Sequence, residues 1–354
     1  VDAVAGTNPT VAPYDVISIF GTNLCPLCTG TNNVLVAIPD STFYRFPTFL
    51  SPDGGTHKIT VTFTKPSAAT TLLPGYLLFA TNNQINVAVP GALATLEGTV
   101  SPNVGLVNVQ VGYDTATPAT AANSSVVSPV AYALQDPGIF TIASSGQGQG
   151  AVLDATTFAL NSQTAPAIGG TSTVAIYVTG LGIPDSVATN NNANATTTYS
   201  TNCLAPLGSP GTLTVAPGGY MGTVNTPASV TNAAPYYPGS TYVVPSPLWT
   251  SIDGAIINTN ILQGNSAPCF LSADAGATNT VTVTIGTTPL TVAGAAITYA
   301  GFTPGSIAGL YQVNVAVPTG IGNGSTAAQF PVVVSMGTGG TQINSQAGVT
   351  MWVQ

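Results

Sequence analysis

The sequence predicts an all-β protein made of two tandem β-sandwich domains. One strand motif occurs twice, as Gln-Ile-Asn-Val-Ala-Val-Pro at residues 84–90 and as Gln-Val-Asn-Val-Ala-Val-Pro at residues 312–318. Val, Thr, Ala and Gly dominate the composition, and 28 prolines are spread along the chain. No window repeats its apolar residues with the period of 3.6 that an α-helix requires. These features are typical of sandwiches with many turns, so we expect almost no helix.

Further segments repeat in the same order as the motif. Each pair joins a segment of the first half to one of the second, namely residues 59–63 with 281–285, 77–80 with 297–300, and 16–24 with 174–182. Other strands are expected at residues 104–113, 126–134, 151–153 and 349–353. Several matched strands in one order predict a duplicated domain rather than a short-period solenoid.

The expected domains are residues 1–145 and 146–354, and a chain of 354 residues is long enough for both to bury a core. The second domain carries a long insertion at about residues 183–280, where the first domain has a much shorter connection. The insertion begins with a low-complexity, Asn-rich stretch, and Cys203 and Cys269 bracket most of its remainder.

Charge excludes several classes of function. Only 4% of the residues are charged, against roughly 25% in an average soluble protein, and the net charge is −8 with three basic residues. So few cations cannot replace the counterions of a nucleic acid, which excludes nucleic-acid binding as a main role. No apolar run reaches the ~18 residues of a membrane-spanning helix. A start at Val1 fits a mature form whose secretion signal has been removed, so we expect a secreted, extracellular or cell-surface protein.

The four cysteines predict two disulfides in a secreted chain. Of the three possible connectivities we favour Cys25 with Cys28 and Cys203 with Cys269. A redox-active pair at Cys25 and Cys28 is the alternative, but such pairs normally open a helix, and here the pair follows a strand. A four-cysteine zinc site is disfavoured because Cys203 and Cys269 are far apart in the sequence.

Nothing in the sequence predicts an enzyme, a cofactor or a metal site. His57 is the only histidine, and no Gly-x-Ser-x-Gly elbow accompanies it, so we expect an exposed loop residue. The glycines at 146, 148 and 150 precede a strand rather than a helix, which favours a turn over a phosphate loop. The eleven acidic residues are scattered singly, and a calcium site near Asp185 is less favoured than a solvated loop. Glycosylation sequons begin at Asn123, Asn194 and Asn323.

Several motifs together resemble a known family. They are residues 11–13 leading into the strand at 16–24, the repeated Gln-x-Asn-Val-Ala-Val-Pro strand, and residues 137–140, 148–153, 177–182 and 309–315. In this combination the chain resembles an uncharacterised immunoglobulin-like family that usually forms the C-terminal part of large secreted proteins of Acidobacteria. The resemblance implies a bacterial, extracellular pair of immunoglobulin-like β-sandwiches with no assigned activity. The chain departs from the pattern at Tyr14 and Asp15, where small residues are usual, and in its cysteine-bracketed insertion.

The function predicted from these features is a self-assembling structural protein. Soluble monomers usually protect the edges of their sheets with charges, and this chain has few charges to place there. We therefore expect a homopolymer, a filament, tube or sheath whose subunits exchange β-strand contacts. Val1, Ala3 and Val4 are predicted to form a donated strand, and Val349, Met351 and Val353 an acceptor edge. Pairing within one chain is the alternative for both segments.

A second hypothesis is a cell-surface adhesion or carbohydrate-binding module. Aromatic side chains that stack on sugar rings would be its signature. The candidate glycan contacts lie in the insertion and are Tyr236, Tyr237, Tyr242 and Trp249. The alternative is that these aromatic residues pack the insertion onto its own domain.

Overall fold

The structure is a computed structural model, and it describes part of the chain. The described residues are 10–29, 34–39, 46–65, 68–91, 93, 105–114, 127–182, 229–233, 237–243, 253–254, 256–257, 281–286, 290–292, 296–322, 324–337 and 342–354. For residues 65, 68–71, 229–233, 237–243 and 290–292 only the backbone is described. Every regular element in these ranges is a β-strand, which confirms the all-β prediction.

The strands between Thr10 and Tyr132 form two sheets. They are β1 (Thr10–Val11), β2 (Val16–Phe20), β3 (Leu35–Val36), β4 (Phe49–Leu50), β5 (Lys58–Lys65), β6 (Ala68–Pro74), β7 (Tyr76–Ala80), β8 (Gln84–Ala88), β9 (Gly105–Asp114) and β10 (Ser128–Tyr132). Sheet 1 has the order β1-β10-β9-β5-β4, with β6 also paired to β5, and sheet 2 has the order β2-β8-β7-β3. The inward side chains of both sheets, such as Phe63 and Val87, share one buried core. Alternating apolar positions on each strand produce this two-layer packing.

The strands after Gly138 form two more sheets and a hairpin. They are β11 (Gly138–Ile139), β12 (Gly148–Gln149), β13 (Val152–Asp154), β14 (Thr173–Thr179), β15 (Ser229–Ala233), β16 (Tyr237–Val243), β17 (Val281–Ile285), β18 (Leu290–Val292), β19 (Ile297–Phe302), β20 (Tyr311–Ala316), β21 (Ala328–Met336), β22 (Ile343–Asn344) and β23 (Val349–Val353). Sheet 3 has the order β11-β14-β20-β19, with β13 also paired to β14. Sheet 4 has the order β12-β23-β21-β17-β18, with β22 also paired to β21. Sheets 3 and 4 enclose a second core, and among the described strands β15 pairs only with β16.

Sheets 2 and 3 have matching registers around the repeated motif. Leu77 pairs with Val87, and Ile297 pairs with Val315 at the equivalent position of the second motif. Both pairs of strands are then interrupted by a β-bulge at the next residue, Leu78 in β7 and Thr298 in β19. A β-bulge is a specific local irregularity, so its occurrence at the same position in both sheets indicates that the two sheets are built alike.

The register also corrects one sequence match. Ile17 pairs with Val87, and Val174 pairs with Val315, so Val174 occupies the position of Ile17 rather than that of Val16. The match of residues 16–24 with 174–182 is therefore one residue out of register. Because side chains alternate between the two faces of a strand, only the corrected match brings inward side chains together.

Strand β23 is not the open acceptor edge that the sequence suggested. It pairs with β21 on one side and, through Val349 and Thr350, with β12 on the other. Beyond β12, the Trp352 N–H donates to the Asn161 side chain, and the Ala167 N–H donates to the Trp352 carbonyl. The side chains of Val349, Met351 and Val353 are completely buried. Strand β23 is therefore not an open edge, because residues 148–167 of the same chain run alongside it.

The two pairs of sheets meet along a buried junction. Val16, Tyr76 and Ala88 of sheet 2 pack against Ile307 from the loop between β19 and β20. Tyr14 adopts a positive φ of 60° and packs edge-on against Phe302, with ring centroids 5.2 Å apart. The N-terminal segment thus contributes a large side chain to the core of the C-terminal sheets.

A short segment of the predicted insertion also lies at this junction. The buried carboxylate of Asp253 accepts a hydrogen bond of 2.8 Å from the Gly91 N–H, and the Gly254 carbonyl accepts one of 2.8 Å from the Phe46 N–H. Three residues later, the Ile257 N–H donates to the Ser306 carbonyl. Asp253 and Gly254 therefore bond to the N-terminal half of the molecule, and Ile257 bonds to the C-terminal half.

Candidate assembly surface

Sheet 2 contains no charged side chain. Asp, Glu, Lys, Arg and His are all missing from the sequence between residues 16 and 39 and again between residues 66 and 96, which together supply β2, β3, β7 and β8. Sheet 1, in contrast, carries Lys58, Lys65 and Asp114 on β5 and β9. The N-terminal half therefore has one charged sheet and one neutral sheet, and neutral surfaces can be brought together without desolvating ions.

The outer face of sheet 2 changes from buried to exposed along the strands. Nearest the junction, Val16, Ala88 and Tyr76 form a cross-strand row that is buried against the C-terminal half. The next row runs across all four strands through Ser18, Asn86, Phe79 and Val36. At the far end, Phe20 faces Gln84 and is 68% exposed.

The polar residues of the repeated motif form a ladder on this face. The Gln84 Nε2 donates to the Asn86 Oδ1 over 2.8 Å, and the Ser18 hydroxyl donates to the same oxygen over 2.9 Å. In sheet 3, the Gln312 Nε2 donates to the Asn314 Oδ1 over 2.7 Å. Because these amides bond to one another, they cover the face without ionic groups and hold the β8 side chains in one arrangement.

Strand β3 is the edge of sheet 2 that faces away from the junction. It pairs with β7 through Leu35 and Val36, and the Ala37 N–H donates to the Leu78 carbonyl. In the described part of the chain, no strand pairs with its other side. Side chains at alternate positions project outward, where Val34 is 43%, Val36 68% and Ile38 84% exposed. An edge with three exposed β-branched residues and no charge lacks the usual protection against strand addition.

The opposite edge of sheet 2 is occupied by the same chain where β2 begins. The Val16 N–H donates to the Thr179 hydroxyl oxygen over 2.7 Å, and that hydroxyl contacts the buried carboxylate of Asp15 over 2.9 Å. Nearby, the Tyr311 hydroxyl donates to the Gly182 carbonyl, and burial raises the pKa of Tyr311 well above its usual value. The two edges of the sheet are therefore unequal, and β3 is the accessible one.

The disulfide between Cys25 and Cys28 closes the turn that follows β2, which confirms this predicted pair. Both cysteines are buried in the core of the N-terminal sheets, and the Cys28 N–H donates to the Cys25 carbonyl. The Leu24 N–H donates to the Asn82 carbonyl, so the turn is fixed to the β7–β8 hairpin. Leu27, between the cysteines, is 48% exposed.

The single histidine lies in the bend directly before β5 and bonds to the carboxylate of Asp53. The Nδ1 of His57 is 2.5 Å from the Asp53 carboxylate, and the imidazole stacks on the ring of Tyr113 with centroids 5.3 Å apart. The side-chain hydrogen bond from His57 lowers the pKa of Asp53 to about 2. The Ser51 hydroxyl donates to Asp53 rather than to His57, so the hydroxyl-imidazole-carboxylate order of a hydrolytic triad is not reproduced.

Several predicted site residues lie outside the described residues. They are Val1, Ala3, Val4, Cys203, Cys269, Tyr236 and Trp249, as well as Asp185 and the sequon asparagines Asn123, Asn194 and Asn323. Tyr237 and Tyr242 belong to β16, of which the backbone alone is described. Gly146 and Gly148 have positive φ angles, and β12 begins at the latter. In the described ranges no three His, Cys, Asp or Glu residues cluster, and no helix is long and apolar enough to cross a membrane.

Sequence reasoning did not single out Val34, Val36 and Ile38 as surface residues. The run from 34 to 38 is apolar at both alternating positions, so a strand made from it has two apolar faces. Such a run predicts a strand that is covered on both sides. At an edge that is not covered, one of the two faces stays in solvent, and this depends on strand order, which local sequence does not contain.

The chain was also compared with known proteins. No protein-family model and no curated protein matches it.

Proposed function

We propose that this protein is an extracellular structural subunit that assembles with copies of itself through contacts between β-strands. The observation that carries the proposal is the uncharged edge of β3, where Val34, Val36 and Ile38 are exposed and no strand of the described residues pairs with the outer side. Exposed apolar edges are a liability in a soluble monomer, which normally places lysines, bulges or other charges there. An edge without such protection is suited to receiving another strand, because backbone hydrogen bonds then supply affinity.

The charge of the whole chain supports the same function. Eleven acidic and three basic residues give a net charge of −8, so copies repel one another where acidic residues face each other. The neutral sheet 2 is a surface on which copies can meet without that repulsion. The expected assembly is a filament, tube or sheath.

We further propose that the chain consists of two immunoglobulin-like sandwiches that arose by duplication. The matching registers and the shared bulge position in sheets 2 and 3 support this, as does the resemblance to the secreted acidobacterial family. The pairing of β11 with β14 favours a boundary before Gly138 rather than at residues 145 and 146. The insertion at about residues 183–280 remains part of the proposal, and secretion and a bacterial source rest on the resemblance.

The test is whether purified protein forms long ordered particles and whether β3 is required for them. Val36→Lys places a charge on the edge at a position that is 68% exposed, so folding should be unaffected while assembly is lost. Val36→Thr keeps a β-branched residue without charge and is the matched control, which should assemble. Size-exclusion chromatography with negative-stain microscopy measures the outcome, and circular dichroism verifies the fold. Wild-type protein that stays monomeric at all concentrations contradicts the proposal.

The alternative function, adhesion or carbohydrate binding, rests on the aromatic residues of the insertion. Their side chains lie outside the described residues, so no contact in the structure favours this function. The same experiment distinguishes the two, because a monodisperse monomer that is retained on a glycan array supports binding rather than assembly.

A further inference from the structure

The backbone of β3 presents the groups for one particular kind of partner strand. In an antiparallel pair, the N–H and C=O of one residue point to the same side, and those of the next residue point to the other side. Ala37 directs its N–H to Leu78 in β7, so the polar groups of Val36 point to the open side. An incoming strand can therefore exchange both hydrogen bonds with Val36.

The outward side chains of β3 are arranged symmetrically about Val36. Val34 and Ile38 lie two residues before and after it on the same face, and all three are exposed. If a second copy of the strand runs antiparallel with Val36 opposite Val36, then Val34 faces Ile38 of the copy and Ile38 faces Val34. Every outward side chain of the triplet then meets an apolar partner, which is the stabilising arrangement for cross-strand pairs.

In the two neighbouring registers, some outward side chains no longer face an apolar partner. With Leu35 opposite Leu35, Ile38 would face Asn32, and with Ala37 opposite Ala37, Val34 would face Asp40. The second of these registers brings a carboxylate against an apolar residue twice, once on each side of the axis. Of these three registers, only the one centred on Val36 pairs every outward side chain of the triplet with an apolar side chain.

From these observations we propose that two copies of the chain pair through β3 itself, antiparallel and in register at Val36, so that two copies of sheet 2 join into one continuous sheet of eight strands. This inference rests on the proposed function, because it specifies which copy-to-copy contact the open edge makes. The partner is an identical chain, since the edge is self-complementary in backbone direction, in apolar pattern and in its lack of charge. The contact has two-fold symmetry and closes on itself, so a filament requires a second, different contact between such dimers.

The size of the contact determines how strong it is. Five paired residues span about 17 Å of strand, and an edge of that length buries much less than the roughly 800 Å² per partner of a stable interface. The dimer should therefore be weak in dilute solution and populated at high concentration or within an assembly.

Cysteine cross-linking tests the register directly. In the proposed pair, the two Val36 Cα atoms are about 5.5 Å apart, within the range of a disulfide. Val36→Cys should therefore form a covalent dimer on mild oxidation. Val34→Cys and Ile38→Cys should each fail to self-link because identical residues are then about 13 Å apart along the strands, yet an equimolar mixture of the two should form a mixed dimer. Phe20→Cys, which is equally exposed but on the opposite edge, measures random collision.

The outcomes separate this inference from the proposed function. A covalent dimer of Val36→Cys and the mixed Val34→Cys and Ile38→Cys dimer, with the linked residues identified by mass spectrometry, support the pairing. Equal linking at all three positions, or linking no greater than that of Phe20→Cys, overturns it. If assemblies form and Val36→Lys abolishes them while Val36→Cys does not self-link, the edge accepts a different segment, and the proposed function stands without this inference. If wild-type protein never assembles, the proposed function fails as well.

Discussion

The carboxylate of Asp53 releases its proton more readily than a free aspartate because it bonds to the imidazole of His57 and accepts a hydrogen bond from the His57 backbone N–H. Its pKa is lowered from 3.8 to about 2 in the folded protein. A lowered folded pKa stabilises the protein above the unfolded value, and this contribution is lost as the pH falls from about 4 to about 2. We expect the difference in unfolding free energy between wild type and Asp53→Asn to shrink across this window. Urea denaturation at a series of pH values measures it, and a difference that is constant from pH 4 to pH 2 contradicts the assignment.

The burial of two acidic residues could not be predicted from the sequence. Asp15 and Asp253 are buried, whereas most aspartates in proteins are exposed, and nothing in the local sequence separates them from the other acidic residues. Their burial depends on donors from distant segments, the Thr179 hydroxyl for Asp15 and the Gly91 N–H for Asp253. Nothing in the local sequence around Tyr14 and Asp15 indicated that these two residues lie at the junction.

Among the elements, the turn closed by Cys25 and Cys28 gives the most direct prediction. A disulfide that closes so short a loop should contribute about 2 kcal/mol in the chain-entropy description, less than one that closes a long loop. Under oxidising conditions the double variant Cys25→Ala/Cys28→Ala should therefore lose about 2 kcal/mol of unfolding free energy and unfold at a lower urea concentration than wild type. When reductant is present in both samples, the difference from wild type should largely disappear. Equal stability under oxidising conditions would show that the turn is held by its hydrogen bonds alone.

The strands show which parts of the fold were predictable. Alternating apolar residues correctly located β2, β5, β8, β20 and β23. A strand with one buried face has apolar residues at every second position, and this alternation can be read from the local sequence. Strand order was not predictable in the same way. β23 was expected at an edge, yet residues 148–167 cover it, and the role of β3 as an edge emerged only from its pairing with β7. A sequence alignment of two strands with alternating residues can also be wrong by one position, as the alignment of β2 with β14 was.

At the scale of the whole molecule, the junction decides whether the two halves unfold together. Domains within a chain usually behave independently unless their interface is large and apolar. Here Tyr14 from the N-terminal half packs inside the C-terminal core, and residues 253–257 bond to both halves. We therefore expect one cooperative thermal transition for the wild-type protein.

Gly254 is the position at which this coupling can be broken with a matched control. Its φ is +65°, and a Cβ there would lie 2.0 Å from the Tyr76 ring, so Gly254→Ala must disrupt the packing of Gly254 against sheet 2. Gly54 has a similar φ of +72° with nothing within 4 Å of the added Cβ, so Gly54→Ala reports the backbone strain alone, roughly 1–2 kcal/mol. Differential scanning calorimetry should show two separated transitions for Gly254→Ala and one slightly shifted transition for Gly54→Ala. A single transition for both variants would mean that the insertion segment does not couple the halves and that the packing of Tyr14 alone joins them.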